Sequence, residues 1–517
     1  MSAMPPCVFV VFICSQLYSV LGVLLGLVID LSGFVGYRDV WMISIGLASA
    51  KIEGSAVEIL RKRREEFLEN IIMRGERCYG VSTGVGGLKG YSVDPVEFAK
   101  RSRDFLREHA TGSGQPLDRG IVRGAMAILA KQLLNGYSAV SPEIPGLLVE
   151  MLNRDIVPIV PRYGSLGASG DLAPMAYIGL ALAGEGLVEK RGRRMDAAEA
   201  LREEGLEPIS LGPKEALSII NNTAMSTSIA VHALVGAERL LKMLELGGAI
   251  AMEAMGTPGE HLDPDLCLLK RHPGASREGE RLREILEGSG NLGRSGVVQD
   301  IYSYRCIPQI LGALSDAIGF VRETIDREIN AVTDNPLFMR GRCVSGCNFH
   351  GISIGIAMDL LSIALIPALT QSERRVAAIL DANMNRGLPP FLSKDPGKSP
   401  GFMMLQYLAA SLINRARGLA YPATVDNTPT SANHEDHVSN SLNAGLKALE
   451  IVELGMRIAA IEIMVMARAL SMRGWIDSSS KRVRDPVEKI LEIPVETQPL
   501  GSSVEATLSK ILEMVGY

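Results

Sequence analysis

The chain has 517 residues, of which 47% are hydrophobic and 5% aromatic, and its formal net charge is −5. This length supports a large hydrophobic core. Acidic and basic residues are interspersed, so no basic stripe indicates nucleic-acid binding. The seven cysteines are odd in number and scattered, which favours reduced thiols in a cytoplasmic protein over a disulfide framework. Cys343 and Cys347 have no second pair nearby, so a zinc site there is disfavoured.

The N-terminal segment is unusually apolar. Residues 7–29 contain no charged residue and are long enough to span a bilayer. A signal peptide fits less well, because no Lys or Arg precedes the run and no clear small-residue cleavage site follows it. A membrane anchor is therefore one interpretation of this segment.

Helical patterns dominate the first part of the chain. Apolar residues recur among charged ones over residues 54–73, which predicts an amphipathic helix. Residues 75–92 are glycine-rich and irregular, so they predict a loop. Further elements are predicted as helices near 94–109, 117–135, 143–154, 172–184 and 195–204, with a polar strand and turn at 186–194.

Long apolar segments rich in Ala, Leu and Met follow from residue 213. Helices of this length, apolar on several faces, are usually buried in a bundle. We therefore predict a mostly α-helical protein with a loop-rich lobe over 27–212, a bundle of long antiparallel helices over 213–473 and a small helical tail over 474–517. The long helices are predicted at 213–256, 302–330, 350–383, 402–420 and 438–472.

The most informative motif ends in Ala168-Ser169-Gly170, directly before a predicted helix. Glycine has no Cβ, so neighbouring backbone atoms can approach it closely. If the nitrogen of Gly170 attacks the carbonyl carbon of Ala168, a five-membered ring closes. Loss of water then turns Ser169 into a dehydroalanine-like methylidene, an electrophile that no ordinary side chain supplies. The alternative is a tight turn before a helix N-terminus, where Asp171 favours the positive end of the dipole.

The full stretch over residues 164–174 resembles the signature of the aromatic amino acid ammonia-lyases, and among them that of the histidine ammonia-lyases. In that family the triplet becomes methylidene-imidazolone (MIO). The resemblance therefore implies an MIO group formed from Ala168, Ser169 and Gly170, with no external cofactor and no metal. It also implies the long helix bundle of the ammonia-lyase/fumarase type and a homotetramer whose active sites draw residues from three chains.

The resemblance covers residues 27–472 and bears on the N-terminus as well. Residues 27–40 look like the strand and turn with which these lyases begin. Residues 1–26 would then be an extension, such as one produced by a wrongly chosen upstream start codon. We favour this interpretation over a membrane anchor, and both stay open.

Two further motifs match the part of the family's site around the MIO group. Loop 79–88 lacks the lysine and the preceding apolar strand of a phosphate-binding loop. It resembles the family's tyrosine loop, in which Tyr79 would exchange a proton if its surroundings lower its pKa. A merely flexible loop is the alternative. Asn221 matches the Asn that hydrogen-bonds the MIO carbonyl, and a helix N-cap pair with Asn222 is the alternative.

Gln299, Tyr302 and Arg305 are spaced three residues apart, which predicts that they share one helix face. An inward-facing arginine is costly unless it meets an anion, and its planar guanidinium suits a carboxylate. The stretch resembles a family motif in which Arg305 would bind the substrate α-carboxylate. Gln299 and Tyr302 would then hold the MIO group and the substrate in register. A surface arginine is the alternative.

Residues 431–439 resemble the histidine-specific version of a family motif, in which Glu435 would contact the substrate imidazole. A carboxylate suits an imidazole N–H and is a poor, desolvated neighbour for a phenyl ring. His434 stands where glutamine is usual. His434 and His437 are three residues apart with no evident third ligand, so a metal site is disfavoured.

Three weaker matches complete the pattern. Phe349 matches the family's phenylalanine beside the MIO ring, and residues 330–337 match a stretch that we interpret as a structural turn. His109 aligns with the histidine of histidine ammonia-lyases and would bind substrate, although a lone histidine on a helix is more often structural. Glu108 departs from the small residue that is usual before it.

Together these motifs predict a carbon–nitrogen lyase that deaminates L-histidine to trans-urocanate and ammonia, as in histidine degradation. Tyr79 and Glu435 are the candidate bases for the β-proton. A tyrosine or phenylalanine ammonia-lyase or aminomutase is the alternative on the same scaffold, and a non-catalytic structural or binding homologue is the alternative of another class. The predicted partners are a small amino acid and other copies of the chain. No nucleic acid is predicted, and no membrane unless residues 7–29 are inserted.

Overall fold

A computed structural model describes residues 26–516 of the chain. Helices make up 58% of the structure and strands 7%, which confirms the predicted mostly α class. The predicted boundaries after residues 26, 212 and 473 stay a prediction. The chain forms two compact units, the first built from residues 26–232, 322–358 and 423–446 and the second from residues 233–321, 359–422 and 447–516.

The helices lie close to the segments that helical periodicity predicts. Loops or single turns of 3₁₀- or π-helix separate them. The α-helices are α1 Tyr37–Ser44, α2 Gly54–Phe67, α3 Pro95–Lys100, α4 Ser102–His109, α5 Arg119–Leu133, α6 Glu143–Asn153, α7 Ala173–Leu182, α8 Ala197–Glu203, α9 Glu215–Ile220, α10 Ala224–Met255, α11 Pro264–Leu269, α12 Pro273–Ile285, α13 Tyr302–Arg305, α14 Ile307–Ile329, α15 Ile352–Leu380, α16 Met403–Leu419, α17 Ser441–Arg473, α18 Lys481–Leu491 and α19 Leu500–Val515.

The strands of the described chain are short and belong to the first unit. They are β1 Val28–Asp30, β2 Ser49–Lys51, β3 Ser113–Pro116, β4 Ile156–Pro158, β5 Pro161–Tyr163, β6 Leu187–Lys190, β7 Arg193–Asp196, β8 Leu337–Met339 and β9 Arg342–Val344. β1 pairs with β2 in parallel, whereas β3 with β5, β4 with β6, β6 with β7, and β8 with β9 pair antiparallel. Strand β5 leads directly into the loop that carries Ser169, so the β3–β5 pair anchors that loop.

Helix α5 forms the core of the first unit, since every residue from Gly120 to Leu133 is buried. Its N-terminus is capped by the Asp118 carboxylate, which accepts a hydrogen bond from the backbone N–H of Gly120 at 2.7 Å. It packs against α1 and α6. Helix α5 also lies close to the start of α10, because Gly124 has no Cβ. A Cβ at this position would clash with the side chain of Ser228 in α10.

The second unit contains a fully buried ion pair between Arg375 and Glu462. Arg375 Nη2 donates to Glu462 Oε2 at 2.9 Å, and Ser372 donates to the same carboxylate. A buried charge of this kind is tolerated only when it is paired and hydrogen-bonded. Loss of one partner would leave the other charge uncompensated in the core.

A sequence prediction about helix continuity is wrong. The segment 213–256 is two helices, because α9 ends at Ile220 and α10 begins at Ala224. The Asn222 side chain terminates the first and starts the second, since Nδ2 donates to the Ile219 carbonyl at 2.8 Å and Oδ1 accepts from the Ala224 N–H at 3.0 Å. The Pro- and Gly-rich segment 257–276 that follows contains α11, whose first turn is capped by Asp263.

The expectation of reduced thiols is also wrong for one pair. Cys78 and Cys343 form a disulfide across 265 residues, within the first unit. Cys78 belongs to a buried apolar cluster with Phe67 and Phe338, which brings β9 and the start of the tyrosine loop together. Because Cys343 is bonded to Cys78, it is not available for a zinc site with Cys347.

Most of the apolar N-terminal run, and with it the question of a membrane anchor, lies outside the described residues. Within residues 26–516, helix α15 alone is long and apolar enough to cross a membrane. Of its most apolar window, 56% is buried inside the protein, and a buried core helix passes the same test.

Candidate active site

The loop between β5 and α7 is shaped by three glycines. Gly164, Gly167 and Gly170 have φ values of 144°, 65° and 74°, a region that residues with a Cβ rarely adopt. A Cβ on Gly170 would lie 2.7 Å from the backbone nitrogen of Asn222 and closer still to its carbonyl oxygen. An isolated backbone bridge joins Ala168 to Gly170. The loop is therefore folded tightly on itself and pressed against residue 222.

Ser169 is held from two sides. Its hydroxyl donates a hydrogen bond to Oε1 of Glu435 at 2.7 Å. Its carbonyl oxygen accepts one from Nδ2 of Asn221 at 2.6 Å. Asn221 follows the last residue of α9, so it is a helix C-cap and not the N-cap of the alternative interpretation. The structure thus brings together Ser169, Asn221 and Glu435, three of the residues singled out by motif.

Glu435 belongs to a strained loop that fixes its carboxylate. Oε2 accepts from the hydroxyl of Thr430 at 2.9 Å, and the two residues also exchange backbone hydrogen bonds. Between them, Ser431, Ala432 and Asn433 all have φ between 52° and 63°. Three consecutive non-glycine residues in this region are costly and are found where the surrounding structure imposes them.

Tyr79 lies in a glycine-rich loop of the same unit. Its hydroxyl oxygen accepts from the Gly86 N–H at 2.6 Å. Burial raises the pKa of Tyr79, and the charge of Glu435 adds to the effect, while the Gly86 hydrogen bond opposes it. The condition stated above for proton exchange by Tyr79, a lowered pKa, is therefore not met in this arrangement. Tyr79 keeps its proton at neutral pH.

The tyrosine loop contacts the Glu435 loop directly. The N–H of Gly87 donates to the hydroxyl of Ser431 at 2.9 Å, and Nζ of Lys89 lies 2.6 Å from Nδ1 of His434. These contacts connect the segment that carries Tyr79 to the segment that carries Glu435. His434 thus acts at the edge of the site, in a loop-to-loop contact.

Asp171 is a buried residue for which sequence analysis suggested only a favourable position at a helix N-terminus. Its Oδ2 accepts from the N–H and the hydroxyl of Ser226, at 2.9 and 3.2 Å. Burial raises the pKa of Asp171 to about 7, and the Ser226 hydrogen bonds oppose the shift. Its own N–H donates to the Asn222 carbonyl at 2.7 Å. Asp171 therefore ties the loop to the start of α10.

His109 ends helix α4. Its Nδ1 donates to the carbonyl of Phe105 at 2.7 Å, and the two rings lie 4.2 Å apart between centroids. This leaves Nε2 as the ring atom for any further partner. Phe349 lies half-buried in the turn before α15. The next residue, His350, has Nε2 3.3 Å from Nδ1 of His437.

Histidine and acidic side chains do not gather into a metal centre in the part of the chain that the structure describes. Within residues 26–516, no group of three or more His, Cys, Asp or Glu side chains is arranged to hold a metal ion. The pair His350 and His437 supplies two imidazoles only, fewer than the usual ligand set of a protein metal site.

The remaining predicted residues belong to the second unit. Gln299 precedes α13, so the predicted single helix face for Gln299, Tyr302 and Arg305 is wrong. The helix begins only at residue 302 because Ile301, at its N-cap, has extended backbone angles. Tyr302 is 70% exposed, and the Arg305 guanidinium carbon lies 4.7 Å from its ring centroid. The buried Nε of Arg305 has no hydrogen-bond partner within residues 26–516.

The segment Ala168-Ser169-Gly170 fits a ring formed from its own three residues. Gly170 has no room for a side chain beside Asn222, which is the position of the nitrogen that would close the ring. Asn221 already donates to the Ser169 carbonyl, the oxygen that such a ring retains. A preorganised backbone is what an intramolecular attack of this kind requires.

The family model for aromatic amino acid lyases matches residues 36–492. The chain belongs to this family. A probable histidine ammonia-lyase of Thermoplasma acidophilum is 40% identical over 460 residues, which are 88% of this chain and 92% of that protein. A histidine ammonia-lyase of Geobacillus thermodenitrificans is 42% identical over 456 residues, 87% of this chain and 90% of that protein.

Solved structures of other aromatic amino acid lyases and aminomutases share the fold. Tyrosine aminomutase from Streptomyces globisporus has a TM-score of 0.88 at 28% identity, covering 93% of this chain and 96% of its own. Histidine ammonia-lyase from Trypanosoma cruzi has a TM-score of 0.85 at 28% identity, covering 94% and 93%. The predicted family, its fold and its ammonia-lyase class of enzyme are confirmed.

Proposed function

We propose that this member of the aromatic amino acid lyase family deaminates L-histidine to trans-urocanate and ammonia. The observation that carries the proposal is the Glu435 carboxylate, whose Oε1 lies 2.7 Å from the Ser169 hydroxyl. A carboxylate at this place can accept a hydrogen bond from an imidazole N–H, whereas a phenyl ring would leave it desolvated and unpaired. The curated relatives at about 40% identity are named histidine ammonia-lyases.

The chain's own residues divide the work of binding. Oε2 of Glu435 is occupied by Thr430, so Oε1 is the oxygen that faces Ser169. Ring closure removes the Ser169 hydroxyl, and Oε1 is then open to the substrate imidazole. Arg305 would hold the substrate carboxylate, since its guanidinium presents paired donors and its buried Nε lacks a partner in the described chain. His109, whose Nδ1 is engaged by the Phe105 carbonyl, would contribute through Nε2 at the periphery.

The Ala168-Ser169-Gly170 segment would form MIO, held by Asn221 at the retained carbonyl. When formed, MIO supplies the electrophile that turns the substrate amino group into a better leaving group. Proton transfer falls to the side chains. Tyr79 and Glu435 are the candidate groups for proton transfer, and because burial raises the pKa of Tyr79 and favours its protonated form, Tyr79 is suited to donate a proton.

We also propose that the protein works as a homotetramer in which one copy supplies Ser169 and another supplies Arg305. Tyr302 is 70% exposed, although an aromatic ring usually gains from being covered, and the buried Nε of the neighbouring Arg305 has no hydrogen-bond partner among the described residues. Both observations support a partner chain at α13. The cytoplasmic location stays a prediction.

The test is the ultraviolet absorbance of product after incubation with L-histidine, L-tyrosine or L-phenylalanine, because each product is a conjugated acrylate with its own spectrum. Product from histidine alone, and none from the Ser169→Ala variant, would support the proposal. Acrylate product from tyrosine or phenylalanine alone would favour the second candidate, a tyrosine or phenylalanine ammonia-lyase on the same scaffold. Absence of acrylate from all three amino acids would favour an aminomutase or a non-catalytic homologue.

A further inference from the structure

A buried charge cluster lies at the N-terminal end of α9, the helix that leads to Asn221, and the proposed reaction does not use it. Lys214 is the N-cap of α9 and its side chain is completely buried. Its Nζ donates to Oδ2 of Asp334 at 2.5 Å and to the hydroxyl of Ser218 at 2.7 Å. The Ser218 hydroxyl donates in turn to the same Asp334 oxygen at 2.9 Å. These three residues, Lys214, Ser218 and Asp334, are called the α9 triad below.

Burying the α9 triad costs free energy of folding, which indicates a role beyond filling space. A buried ammonium and a buried carboxylate each lose hydration that their mutual attraction only partly returns. Lys214 also has a φ of 74°, an unfavourable value for a residue with a side chain. Burial lowers the pKa of Lys214, and the charge of Asp334 opposes this. Since the side chain is buried, Lys214 touches no substrate.

A second ion pair fixes the same end of α9. Arg64 and Glu215 approach to 3.4 Å, and Glu215 accepts backbone N–H groups from Ser141 and Gly212, each at 2.7 Å. Arg64 donates to the Pro213 carbonyl at 2.9 Å. The residue before α9 and its first residue are thus tied to three other segments of the first unit, so the helix cannot slide or rotate without breaking charged hydrogen bonds.

The other end of α9 makes the contacts on which ring formation depends. Asn221, one turn beyond Ser218, donates to the Ser169 carbonyl at 2.6 Å. The backbone of Asn222 packs against Gly170 and accepts from the N–H of Asp171 at 2.7 Å. A shift of α9 by a fraction of its rise per residue would open these contacts.

We propose that the α9 triad positions this helix so that the Gly170 nitrogen meets the Ala168 carbonyl carbon, and that ring closure in the newly folded chain depends on it. The bond that forms joins Gly170 N to Ala168 C. The Ala168 C–O bond breaks, and this oxygen leaves as water with the amide hydrogens of Ser169 and Gly170 while a C=N bond forms between Ala168 C and Ser169 N. The Ser169 Cβ–O bond also breaks, and this hydroxyl leaves with the Ser169 Cα hydrogen as a second water. No oxidant or reductant is consumed. Lys214, Ser218 and Asp334 are positioning residues, and the inference rests on the proposed formation of MIO.

The experiment is intact-mass spectrometry of freshly purified full-length protein, since ring closure removes two water molecules whether or not the enzyme turns over. Ser169→Ala defines the unclosed mass. We expect the wild type to be closed and Ser218→Ala to close about tenfold more slowly, because the variant loses the hydrogen bonds of the Ser218 hydroxyl to the charged Lys214 and Asp334. Ser218→Thr retains a hydroxyl and should restore closure. Circular dichroism and thermal unfolding establish that each variant is folded.

Two double variants distinguish a positioning role of the α9 triad from a general loss of protein stability. Lys214→Met/Asp334→Asn removes the charge of the triad, and Arg375→Met/Glu462→Gln removes an equally buried pair elsewhere. We expect the first to stay largely unclosed and the second to close fully. If Lys214→Met/Asp334→Asn does not fold, the Ser218 variants decide.

Closure of Ser218→Ala at the wild-type rate would overturn the inference, as would equal slowing of Ser218→Ala and Ser218→Thr. Full closure in a folded Lys214→Met/Asp334→Asn protein would overturn it as well. An unclosed wild type would instead overturn the proposed function, so the two failures can be told apart.

Discussion

The Ser169 loop and the helix that carries Arg305 contrast sharply. In the first region Ser169, Glu435 and Asn221 have partners within the same unit, and glycines allow the backbone to pack without gaps. In the second, Tyr302 is 70% exposed and the Nε of Arg305 has no partner within residues 26–516. The first region is organised by its own chain. The second leaves a buried donor for which we propose a substrate anion or another copy of the chain as the partner.

Arg305 gives the largest expected effect. We expect Arg305→Ala to lower kcat/KM for histidine about 10²- to 10³-fold, because the substrate carboxylate loses a paired, desolvated partner. Arg305→Lys keeps the positive charge but loses the paired donors of the planar guanidinium, so we expect a kcat/KM between those of the wild type and Arg305→Ala. Steady-state kinetics with histidine, measured for the wild type and both variants, provide the test. Retention of kcat/KM within a factor of about two in Arg305→Ala would contradict the role.

A variant of Glu435 tests the Ser169 region, in which the partners come from the same chain. We expect Glu435→Gln to lower kcat/KM for histidine by about 10- to 100-fold while the ratio of phenylalanine to histidine turnover rises, because a neutral amide tolerates a phenyl ring better. Asp436→Asn changes the neighbouring exposed charge and is the matched control. Equal losses of kcat/KM for histidine, tyrosine and phenylalanine would show that Glu435 does not select the substrate.

The Cys78–Cys343 disulfide tests whether the tyrosine loop belongs to the organised region. It closes a loop of 265 residues, and we expect Cys78→Ser to destabilise the protein by about 2–5 kcal/mol. Cys347→Ser removes an exposed free thiol and should have no effect. Thermal unfolding with and without dithiothreitol provides the measurement. Identical unfolding of Cys78→Ser and Cys347→Ser would contradict this account.

The smallest effect concerns a buried acid in the second unit. Burial raises the pKa of Glu245 to about 8, and the neighbouring Glu278 adds to the shift. Its folded-state pKa exceeds its unfolded value, so its contribution to stability is present below about pH 4.5 and is lost as pH rises through 8. We expect Glu245→Gln to be more stable than wild type by about 1–3 kcal/mol at pH 9 and similar to it at pH 4.5.

A pH series of urea unfolding curves tests this prediction. Glu199→Gln, an exposed acid in the first unit, is the control and should follow the wild type at every pH. A constant difference between Glu245→Gln and wild type across the series would show that titration of Glu245 does not contribute.

Local patterns were sufficient for what is local in the chain. Helical periodicity located α5, α6 and α15 to within a few residues, and the glycine-rich motif marked Ser169 before any geometry was known. Asn221 and Glu435, far apart in sequence, were found only through the family resemblance.

Interactions that depend on tertiary contact were missed. Cys78 and Cys343 pair across 265 residues, and nothing near either cysteine marks the partner. Lys214 and Asp334 are 120 residues apart, so Lys214 had no visible role and residues 330–337 suggested only a turn. The spacing of Gln299 from Tyr302 and Arg305 is that of a helix face, but the backbone at Gln299 is not helical. Sequence periodicity does not show at which residue a helix begins.

The most direct test of the contrast between the two regions is complementation between inactive chains. Ser169→Ala and Arg305→Ala, carrying different tags, are produced together, and mixed oligomers are purified through both tags. If one copy supplies Ser169 and another Arg305, random assembly restores about a quarter of the wild-type deamination of histidine. Mixed oligomers as inactive as either variant alone would contradict a shared site and place both halves in a single chain.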